Sequence, residues 1–347
     1  MRTQGSARTF TEVHAAAAAL KCGEVHMVVG ALPFDSDSKA ALTQPERIVR
    51  ERGSLTPPPY YLEKSLTASV TGMDPIPDEH LRRVEAAIST IQSSSLEKVV
   101  LARAVDLEFS EPVDPRLIAA RLIANSARGD GFLADLSPAG RDGATLVGAS
   151  PEVLIKREGS RVSAFPLAGS APRSADPAKD LAASKKLASS AKDLSEHRFV
   201  VEHLRSALEP LCSSLELPDS PQLMSTSEMW HLGTPINGVL EDNSTTALEL
   251  AMAVHPTPAI CGTPSAAAEA LIHTAESDRG FYAGAVGWCD ASGDGEYMVA
   301  IRCAEIAADC QHARAWAGGG IVADSDPQTE LEETTAKLRT ILTTLGL

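Results

Sequence analysis

The sequence predicts an α+β protein with mostly antiparallel sheets. Runs with the spacing of strands and runs with the spacing of helices do not alternate regularly, as they would in a parallel βαβ fold. Two pairs of β-rich runs are joined by glycine-containing turns, at residues 158–160 and 290–295, which is the pattern of antiparallel hairpins. The 347 residues, 44% of them apolar and 22% charged, suffice for a sizeable core.

The first elements are predicted from composition and spacing. Residues 1–22 are expected to form a helix preceded by a mobile end, and the apolar run 25–34 to form a strand. Residues 35–60 are rich in proline, serine and charge, which predicts a surface loop. Residues 78–94 carry apolar side chains at helical spacing, and residues 115–125 also predict a helix.

A strand is predicted over residues 98–109, where β-favouring residues alternate. The period of two places Lys98 and Val100 on one face of this strand and Leu101 and Arg103 on the other. One of these faces is therefore expected to contact the core.

The remaining elements follow the same criteria. Asp326 is a plausible N-cap of the last helix, with Pro327 at its first position. In chain order, we predict strands over 144–155 and 162–167, helical structure with a central break over 176–211, a long hairpin of strands 282–289 and 296–305, and a final helix from Pro327.

Charge and composition exclude several classes of protein. Lys and Arg number 31 and Asp and Glu 46, so the net charge is −15, which argues against duplex nucleic acid or an anionic membrane as the main partner. No apolar run has the ~18 residues of a membrane helix, and the N-terminus lacks the apolar centre of a signal peptide. The six scattered cysteines are typical of reduced thiols. We therefore expect a cytoplasmic protein.

Two pairs of carboxylates have the i, i+3 spacing that places side chains on one face of a helix. Glu330 and Glu333, followed by Lys337, form one pair, and Asp193 and Glu196 form the other. Such pairs are most often solvated helix surface, and the sequence does not show that the two helices face each other. If they do, their oxygens suit a hard cation such as Mg2+.

Two glycine-containing segments are candidates for anion binding. Backbone N–H groups of Gly169 and Ser170 could receive a carboxylate or phosphate, although a tight turn without a ligand explains the segment equally well. The run 318–320 has neither G-x-G-x-x-G nor P-loop spacing, which argues against a dinucleotide or nucleoside triphosphate.

Ten stretches along the chain carry family motifs in a fixed order. They are GALPFD (30–35), EKVVLAR (97–103), GASPEVLI (148–155), PLAGSAPR (166–173), KDLSEH (192–197), MWHLGTPI (229–236), HPTPAICGTP (255–264), DRGFYAGAVGW (278–288), VAIRCAEI (299–306) and AGGGIVADSDPQTELEETTAK (317–337). Together they resemble the chorismate-utilising enzymes, which include isochorismate synthases, salicylate synthases and the large chains of anthranilate and aminodeoxychorismate synthases. GALPFD and HPTPAICGTP most resemble isochorismate synthases. Two positions depart from that pattern, since AGGG stands in place of AGAG and Tyr282 in place of a common Phe.

The resemblance implies one large α+β domain, with two mostly antiparallel sheets and surrounding helices that enclose a Mg2+-dependent site. Residues 25–347 would form this chorismate-binding catalytic domain, and residues 1–24 an N-terminal helical extension. The implied roles cover three groups of residues. They are Lys98 as catalytic base and Glu152 as catalytic acid; Gly169, Ser170, His231, Ala259, Tyr282, Arg302, Gly319 and Lys337 as substrate-binding residues; and Glu196, Glu330, Glu333 and Asp193 as direct or supporting metal ligands.

The function that the resemblance implies is the isomerisation of chorismate to isochorismate by a monomeric enzyme without an obligatory glutaminase subunit. The product would feed siderophore or menaquinone synthesis. A salicylate synthase, an aminating synthase subunit and a catalytically inactive chorismate-binding relative are the alternatives. Ala259 argues against the first two, because those members usually carry Thr at this position.

Overall fold

The computed structural model describes residues 1–51, 56–126, 129–226 and 228–347. Within these ranges the strands form two large sheets of nine and seven strands and two small ones, and every strand pair is antiparallel. The predicted single-domain α+β class with mostly antiparallel sheets is confirmed.

The helices of the described ranges lie mainly between and after the strands. In chain order they are α1 (Val13–Lys21), α2 (Tyr60–Glu63), α3 (Pro77–Ser93), α4 (Pro115–Asn125), α5 (Pro177–Ala188), α6 (Ala191–Leu208), α7 (Ala247–Val254), α8 (Ser265–Ala275) and α9 (Pro327–Thr344). None of these helices combines the length and hydropathy that a transmembrane segment requires.

The strands of the described ranges vary from two to twelve residues. In chain order they are β1 (Arg2–Gln4), β2 (Arg8–Phe10), β3 (Met27–Leu32), β4 (Ala41–Gln44), β5 (Arg47–Val49), β6 (Ala68–Asp74), β7 (Lys98–Phe109), β8 (Gly131–Asp135), β9 (Thr145–Ala149), β10 (Val153–Glu158), β11 (Arg161–Phe165), β12 (Leu167–Pro172), β13 (Cys212–Glu216), β14 (Gln222–Ser225), β15 (Met229–Gly233), β16 (Ile236–Leu240), β17 (Gly262–Thr263), β18 (Ala285–Asp290), β19 (Gly295–Val299), β20 (Cys303–Ile306) and β21 (His312–Ile321).

Sheet order places strands that are distant in sequence side by side. The nine-stranded sheet runs β13-β16-β11-β10-β19-β18-β3-β4-β2, and the seven-stranded sheet runs β17-β7-β21-β20-β9-β8, with β6 also paired to β7. The small sheets are β12-β15-β14 and β1-β5. The main apolar cluster contains side chains of both large sheets, such as Leu101, Leu146, Ile155 and Tyr297.

Several predicted elements are confirmed. Helices α3 and α4 and strand β7 form where their spacing predicts them, and the helical region 176–211 breaks at Ser189 and Ser190, between α5 and α6. In the last helix, the carboxylate of Asp326 accepts a hydrogen bond from the Thr329 N–H, so Asp326 is the expected N-cap.

Other local predictions were wrong. Residues 35–60 contain strands β4 and β5 instead of loop alone, while residues 52–55 of this segment lie outside the described residues. Strands β1 and β2 precede α1, and β2 is the edge of the nine-stranded sheet, paired with β4. The domain boundary at residue 24 stays a prediction. The strand β21, which contains the glycine run, is not predicted by pattern because glycine and alanine have weak strand preferences.

Two of the predicted strands are each divided into two shorter strands. In both cases one of the two belongs to the nine-stranded sheet and the other to the seven-stranded sheet. Residues 144–155 divide at Ser150–Glu152 into β9 and β10, and residues 296–305 divide at Ala300–Arg302 into β19 and β20. Pro151, which lacks an N–H donor, lies at the first break, and Arg302 at the second has a φ of 50°, in the left-handed region. The two breaks are adjacent, because β9 pairs with β20 and β10 with β19.

Candidate active site

A pocket lies where these strands leave one sheet for the other. Its walls come from the break residues, from β12 and β15 of the small sheet, from the glycine run of β21 and from α9. Backbone at such breaks is not committed to ladder hydrogen bonds, so side chains there can be aimed into a cavity. The lining residues are Val100, Pro151, Glu152, Leu167, Ala168, Gly169, Ser170, Glu196, His231, Ala259, Ile260, Tyr282, Ile301, Arg302, Trp316, Ala317, Gly318, Gly320, Glu333 and Lys337.

Glu152 is a buried carboxyl group at the first strand break. Its residue is 3% exposed, and the backbone N–H of Leu167 donates to the carboxylate. Burial raises the pKa of Glu152 to about 7, against the opposing effects of this hydrogen bond and of the positive charge of Lys98. The group is therefore partly protonated at neutral pH and can act as a proton donor.

Lys98, at the start of β7, is fully buried. Its Nζ lies 3.0 Å from Oε1 of Glu196, a close ion pair without the alignment of a hydrogen bond. Lys98 itself lies behind the pocket wall, while Val100, two residues along the same face of the strand, lines it. The alternation predicted for this strand thus places Lys98 on the face of β7 that is turned toward the pocket.

Arg302 and His231 form a buried polar pair across the pocket wall. Nη2 of Arg302 donates to Nε2 of His231 over 2.6 Å, which leaves the imidazole neutral with its proton on Nδ1. Burial lowers the pKa of Arg302 to about 10 and, together with the charge of Arg302, lowers the pKa of His231. Among the described residues Arg302 forms no ion pair, so its guanidinium is available to an anionic ligand.

The structure brings the two predicted acidic pairs together. The helices α6 and α9 place Glu196 and Glu330 beside the glycine run, since a Cβ added at Gly320 would meet Glu196 and one at Gly319 would meet Glu330. Each of three carboxylates is matched by a lysine. The pairs are Glu196 with Lys98, Glu330 with Lys192, and Glu333 with Lys337.

Glu330 is the most enclosed member of this acidic cluster, with its side chain 1% exposed. Its Oε1 accepts from Lys192 and from the Ser325 hydroxyl, but its Oε2 is buried and has no hydrogen-bond partner among residues 1–51, 56–126, 129–226 and 228–347. Burial, and then the charge of Glu333, raise the pKa of Glu330. An unpartnered buried carboxylate oxygen is unfavourable unless a cation or a proton satisfies it.

The other two carboxylates differ in exposure to the pocket. Burial acts to raise the pKa of Glu333, but the ion pair with Lys337 at 2.7 Å outweighs it and the pKa is lowered. Burial raises the pKa of Asp193, which lies behind the wall against Gly169. In the described parts of the chain, no three such side chains already converge in a metal-binding arrangement.

The glycines of the wall permit close approach of the carboxylates. Gly169 has a φ of 80°, and a Cβ there would lie 3.0 Å from Cβ of Asp193. A Cβ at Gly320 would lie 2.1 Å from Oε1 of Glu196, whereas a Cβ at Gly319 would meet Oε2 of Glu330 at 3.3 Å. Gly320 faces the pocket and Gly319 the opposite side, toward α9.

Ser170 and Tyr282 complete the polar lining. The Ser170 hydroxyl donates to Oε1 of Glu333 over 2.9 Å. Tyr282 stacks on Trp316 with ring centroids 5.7 Å apart and an interplanar angle of 8°, so its ring is held in a fixed position. Burial raises the pKa of its phenol, which therefore stays a hydrogen-bond donor.

Of the predicted site residues, ten line the pocket directly, and they are Glu152, Gly169, Ser170, Glu196, His231, Ala259, Tyr282, Arg302, Glu333 and Lys337. The remaining four lie behind the wall, namely Lys98, Asp193, Gly319 and Glu330. The catalytic and metal-binding roles assigned to these residues stay predictions.

Sequence reasoning missed three residues of the site. Lys192 lies within the KDLSEH stretch, where the sequence pattern predicts a solvent-exposed helix lysine. Nothing in that pattern indicates that Lys192 pairs with Glu330. Arg279 is 3% exposed and donates to the carbonyl oxygens of Ile260 and Val100, which fixes two segments of the pocket wall. Trp316 supports Tyr282 from within a strand that the pattern did not predict.

Comparison with known proteins agrees with this geometry. The family model described as "Chorismate binding enzyme" matches residues 29–346. The chain is 50% identical, over 99% of its length and 93% of the relative, to a Mycobacterium tuberculosis protein provisionally named isochorismate synthase MenF. It is 45% identical to the isochorismate synthase DhbC of Bacillus subtilis, over 92% of this chain and 81% of that protein.

A solved structure extends the likeness to three dimensions. The crystal structure of Bacillus anthracis DhbC, provisionally described as a 2,3-dihydroxybenzoate-specific isochorismate synthase, superposes with a TM-score of 0.90 at 39% identity. The match covers 99% of this chain and 93% of that one. With a family match over nearly the whole length and a pocket that gathers the predicted residues, the chain belongs to the chorismate-binding enzymes.

Proposed function

We propose that the chain is an isochorismate synthase, an isomerase that converts chorismate to isochorismate. Water adds at C2 of the ring, the C4 hydroxyl leaves, and the ring double bonds shift. The relatives that are similar over nearly the whole chain bear this name. The observation that carries the proposal is a pocket lined by Glu152, a buried carboxyl group with a pKa of about 7 on which the charge of the buried Lys98 also acts.

Glu152 and Lys98 supply the two proton transfers. Glu152, protonated in part near neutral pH, donates a proton to the departing C4 hydroxyl. Lys98 takes a proton from the attacking water, a role that requires its uncharged amine, and its Nζ lies 3.0 Å from Oε1 of Glu196. The adjacent carboxylate of Glu196 then stabilises the positive charge that Lys98 acquires.

Arg302 and Lys337 are proposed to bind the carboxylates of chorismate. A guanidinium offers paired N–H groups that match a carboxylate, and His231 orients the Arg302 side chain through their hydrogen bond. Lys337 donates to the carbonyl oxygen of Gly318 and pairs with Glu333, which holds its ammonium at the metal end of the pocket.

The acidic cluster is proposed to hold Mg2+. An all-carboxylate donor set suits this ion, and the unpartnered buried Oε2 of Glu330 fits a cation. Glu196 and Glu330 would be direct ligands, with Glu333 and Asp193 in support. When bound, the ion supplies positive charge that neutralises the cluster and receives a substrate carboxylate.

The released product is proposed to be isochorismate. Ala259 presents only a methyl group to the pocket, so it offers ammonia no hydrogen-bonding anchor. Tyr282 favours the alternative that the enzyme continues to salicylate with loss of pyruvate, because salicylate synthases also carry this residue. We further propose a cytoplasmic monomer without a glutaminase subunit, which supplies siderophore or menaquinone synthesis.

Product identification tests the proposal. Purified protein incubated with chorismate and Mg2+ is expected to yield isochorismate by chromatography, with the reverse reaction from isochorismate. Stoichiometric pyruvate would identify a salicylate synthase, and an aminated product on addition of ammonium would identify an aminating subunit. Binding of chorismate without any turnover would identify a non-catalytic relative.

A further inference from the structure

Strand β7 has a gap in its pairing on the edge opposite β21. It pairs with β17 at Lys98 and Val99 and with β6 from Ala104 onward, so no strand of the described residues covers the four residues between. Side chains close part of this gap. Glu276 Oε1 accepts from the N–H of Ala102 over 2.7 Å, and Arg279 donates to the carbonyl oxygen of Val100.

A second cavity lies at this gap. It is lined by Arg83, Arg103 and Trp316, together with Asp74 and Glu276. Trp316 also lines the substrate pocket, so the two cavities share a wall. The second cavity is much smaller than the first and admits only a group of a few atoms at most.

The carboxylates of this cavity are already paired with other cations. Glu276 forms an ion pair with Arg279 at 2.8 Å, and Asp74 forms one with Arg314 at 2.6 Å. Arg83 pairs with Glu79, one turn earlier on α3. Arg314 also pairs with Asp106 at 3.2 Å, and among the described residues none of these carboxylates forms an ion pair with Arg103.

Arg103 is a buried guanidinium without a counter-charge among the described residues. It is 4% exposed, and its Nη1 donates to the hydroxyls of Thr334 and Thr335 on α9. Within the part of the chain that the structure describes, its Nε is buried without a hydrogen-bond partner, and so is Nη1 of Arg83. An isolated buried charge is strongly unfavourable, and burial lowers the pKa of Arg103 accordingly.

His80 lies in the electrostatic field of the same two arginines, Arg103 and Arg83. It is 1% exposed and neither ring nitrogen has a partner. Burial, and then the charges of Arg103 and Arg83, lower its pKa to about 4, so it is neutral at pH 7 and does not relieve the charge of Arg103. What the two unpartnered arginine N–H groups require is a hydrogen-bond acceptor, and an anion beside Arg103 would also supply the ion pair that it does not form among the described residues.

We propose that the cavity at the β7 gap binds a small inorganic anion of halide size, held by Nε–H of Arg103 and Nη1–H of Arg83. The narrow cavity selects a monatomic ion such as chloride over phosphate or a dicarboxylate. The ion neutralises Arg103, whose other hydrogen bonds reach the helix that carries Glu330 and Glu333. The site is distinct from the substrate pocket and does not depend on the reaction proposed above.

Bromide locates the site directly. Crystals of the wild-type protein soaked in bromide are expected to show an anomalous difference peak between Arg103 and Arg83. Electron density that refines as water at this position, with no anomalous signal, would overturn the proposal. The bromide experiment uses only the wild-type protein, so it tests the site even if a substitution prevents folding.

Chloride-35 NMR tests the site in solution. The wild-type protein is expected to broaden the chloride resonance in a saturable way, and Arg103→Met to lose affinity about tenfold or more, as expected for loss of a charged hydrogen bond. Arg205→Met is the matched control, since Arg205 is an exposed arginine whose side chain is 45% accessible. Equal saturable broadening by wild type and Arg103→Met would also contradict the proposal.

Discussion

Single residues in the pocket owe their chemistry to burial. The carboxyl of Glu152 has a raised pKa because its charged form is desolvated, while the nearby cations limit the shift. Glu333 is enclosed in the same pocket, yet its pKa is lowered because Lys337 pairs with it. Environment thus shifts the pKa values of two like side chains in opposite directions.

Glu152 is expected to control the pH dependence of turnover. The proton-donating form is lost as pH rises through the pKa of about 7, so kcat/KM should fall on the alkaline side of neutrality. Glu152→Gln should remove turnover at every pH. Initial rates between pH 5.5 and 9 measure both effects, and an unchanged profile in Glu152→Gln would contradict the role.

The same substitution is expected to stabilise the fold at alkaline pH. Because the pKa of Glu152 in the folded protein, about 7, lies above the ordinary value of about 4.5 that it takes in the unfolded chain, the folded protein binds the extra proton and loses stability as pH rises from about 4.5 to 7. Glu152→Gln removes this penalty, which is at most about 3 kcal/mol. Thermal unfolding should give the variant a higher melting temperature than wild type at pH 8, but not at pH 5.

Lys98 is expected to act on turnover more than on substrate binding. Lys98→Gln should lower kcat by about 10²–10⁴-fold, the usual contribution of a general base, with little change in chorismate affinity. Lys186→Gln, an exposed helix lysine, is the control. Wild-type kcat in Lys98→Gln, measured beside a calorimetric Kd, would assign the base to another group.

At the scale of elements, the site depends on β21 running between α9 and the pocket. Gly320 opposes Val100 and Gly319 opposes Leu101 in the pairing of β21 with β7, so adjacent glycines face opposite sides. The absence of side chains lets α6 and α9 bring their carboxylates against the strand. Neither glycine has a positive φ, so backbone conformation does not require glycine here. The requirement is that the carboxylates approach the strand closely.

Adjacent glycines of β21 are expected to respond differently to a methyl group. Gly320→Ala places Cβ 2.1 Å from Oε1 of Glu196 and 3.0 Å from Cε of Lys98, so it should fold but lose most activity by displacing this pair. Gly319→Ala places Cβ 3.3 Å from Oε2 of Glu330 and from Cγ2 of Thr334, a close contact that a small shift of these side chains relieves, so it should lose less activity than Gly320→Ala. Parallel assays and melting curves of both variants test this, and equal activity of the two would argue against the described register.

Helix α9 is expected to bind the metal through one face. Mg2+ should raise the melting temperature of wild type, and EDTA should remove turnover. Glu330→Ala should abolish both responses, because it deletes the buried carboxylate with the unpartnered oxygen. Glu332→Ala is the control, since Glu332 lies on the exposed face of the same helix. Full activity in excess EDTA would exclude the metal role.

At the scale of the whole molecule, the N-terminal residues belong to the packing of the large sheet. Strand β2 is the edge of the nine-stranded sheet, and α1 buries Ala16, Ala17 and Leu20 in the main apolar cluster. A chain beginning at residue 25 is therefore expected to melt at a lower temperature than the full chain. A chain beginning at residue 6 removes only exposed residues and is the control. Equal melting of all three chains would show that residues 1–24 are a separable extension.

Local pattern alone predicts part of the regular structure, including β7, α3, α4 and α9. The period of two in β7, the apolar spacing of α3 and the capping residues of α9 are set by neighbours in the chain, so they can be predicted without tertiary information. Collinear motifs indicated the family and thereby the residues of the pocket. Strands β4, β5 and β21 were missed because their pairing partners, distant in sequence, stabilise them against weak local preference.

The sequence by itself determined the α+β class, the main helices and strands and the set of candidate site residues. Only the tertiary structure decided that residues 144–155 and 296–305 each break to change sheets, and these breaks place Glu152 and Arg302 in the pocket. It also decided that Lys192 pairs with Glu330 and that Arg103 lacks a counter-charge. The physical reason is that burial and charge pairing depend on distances between segments far apart in the chain, which no local pattern encodes.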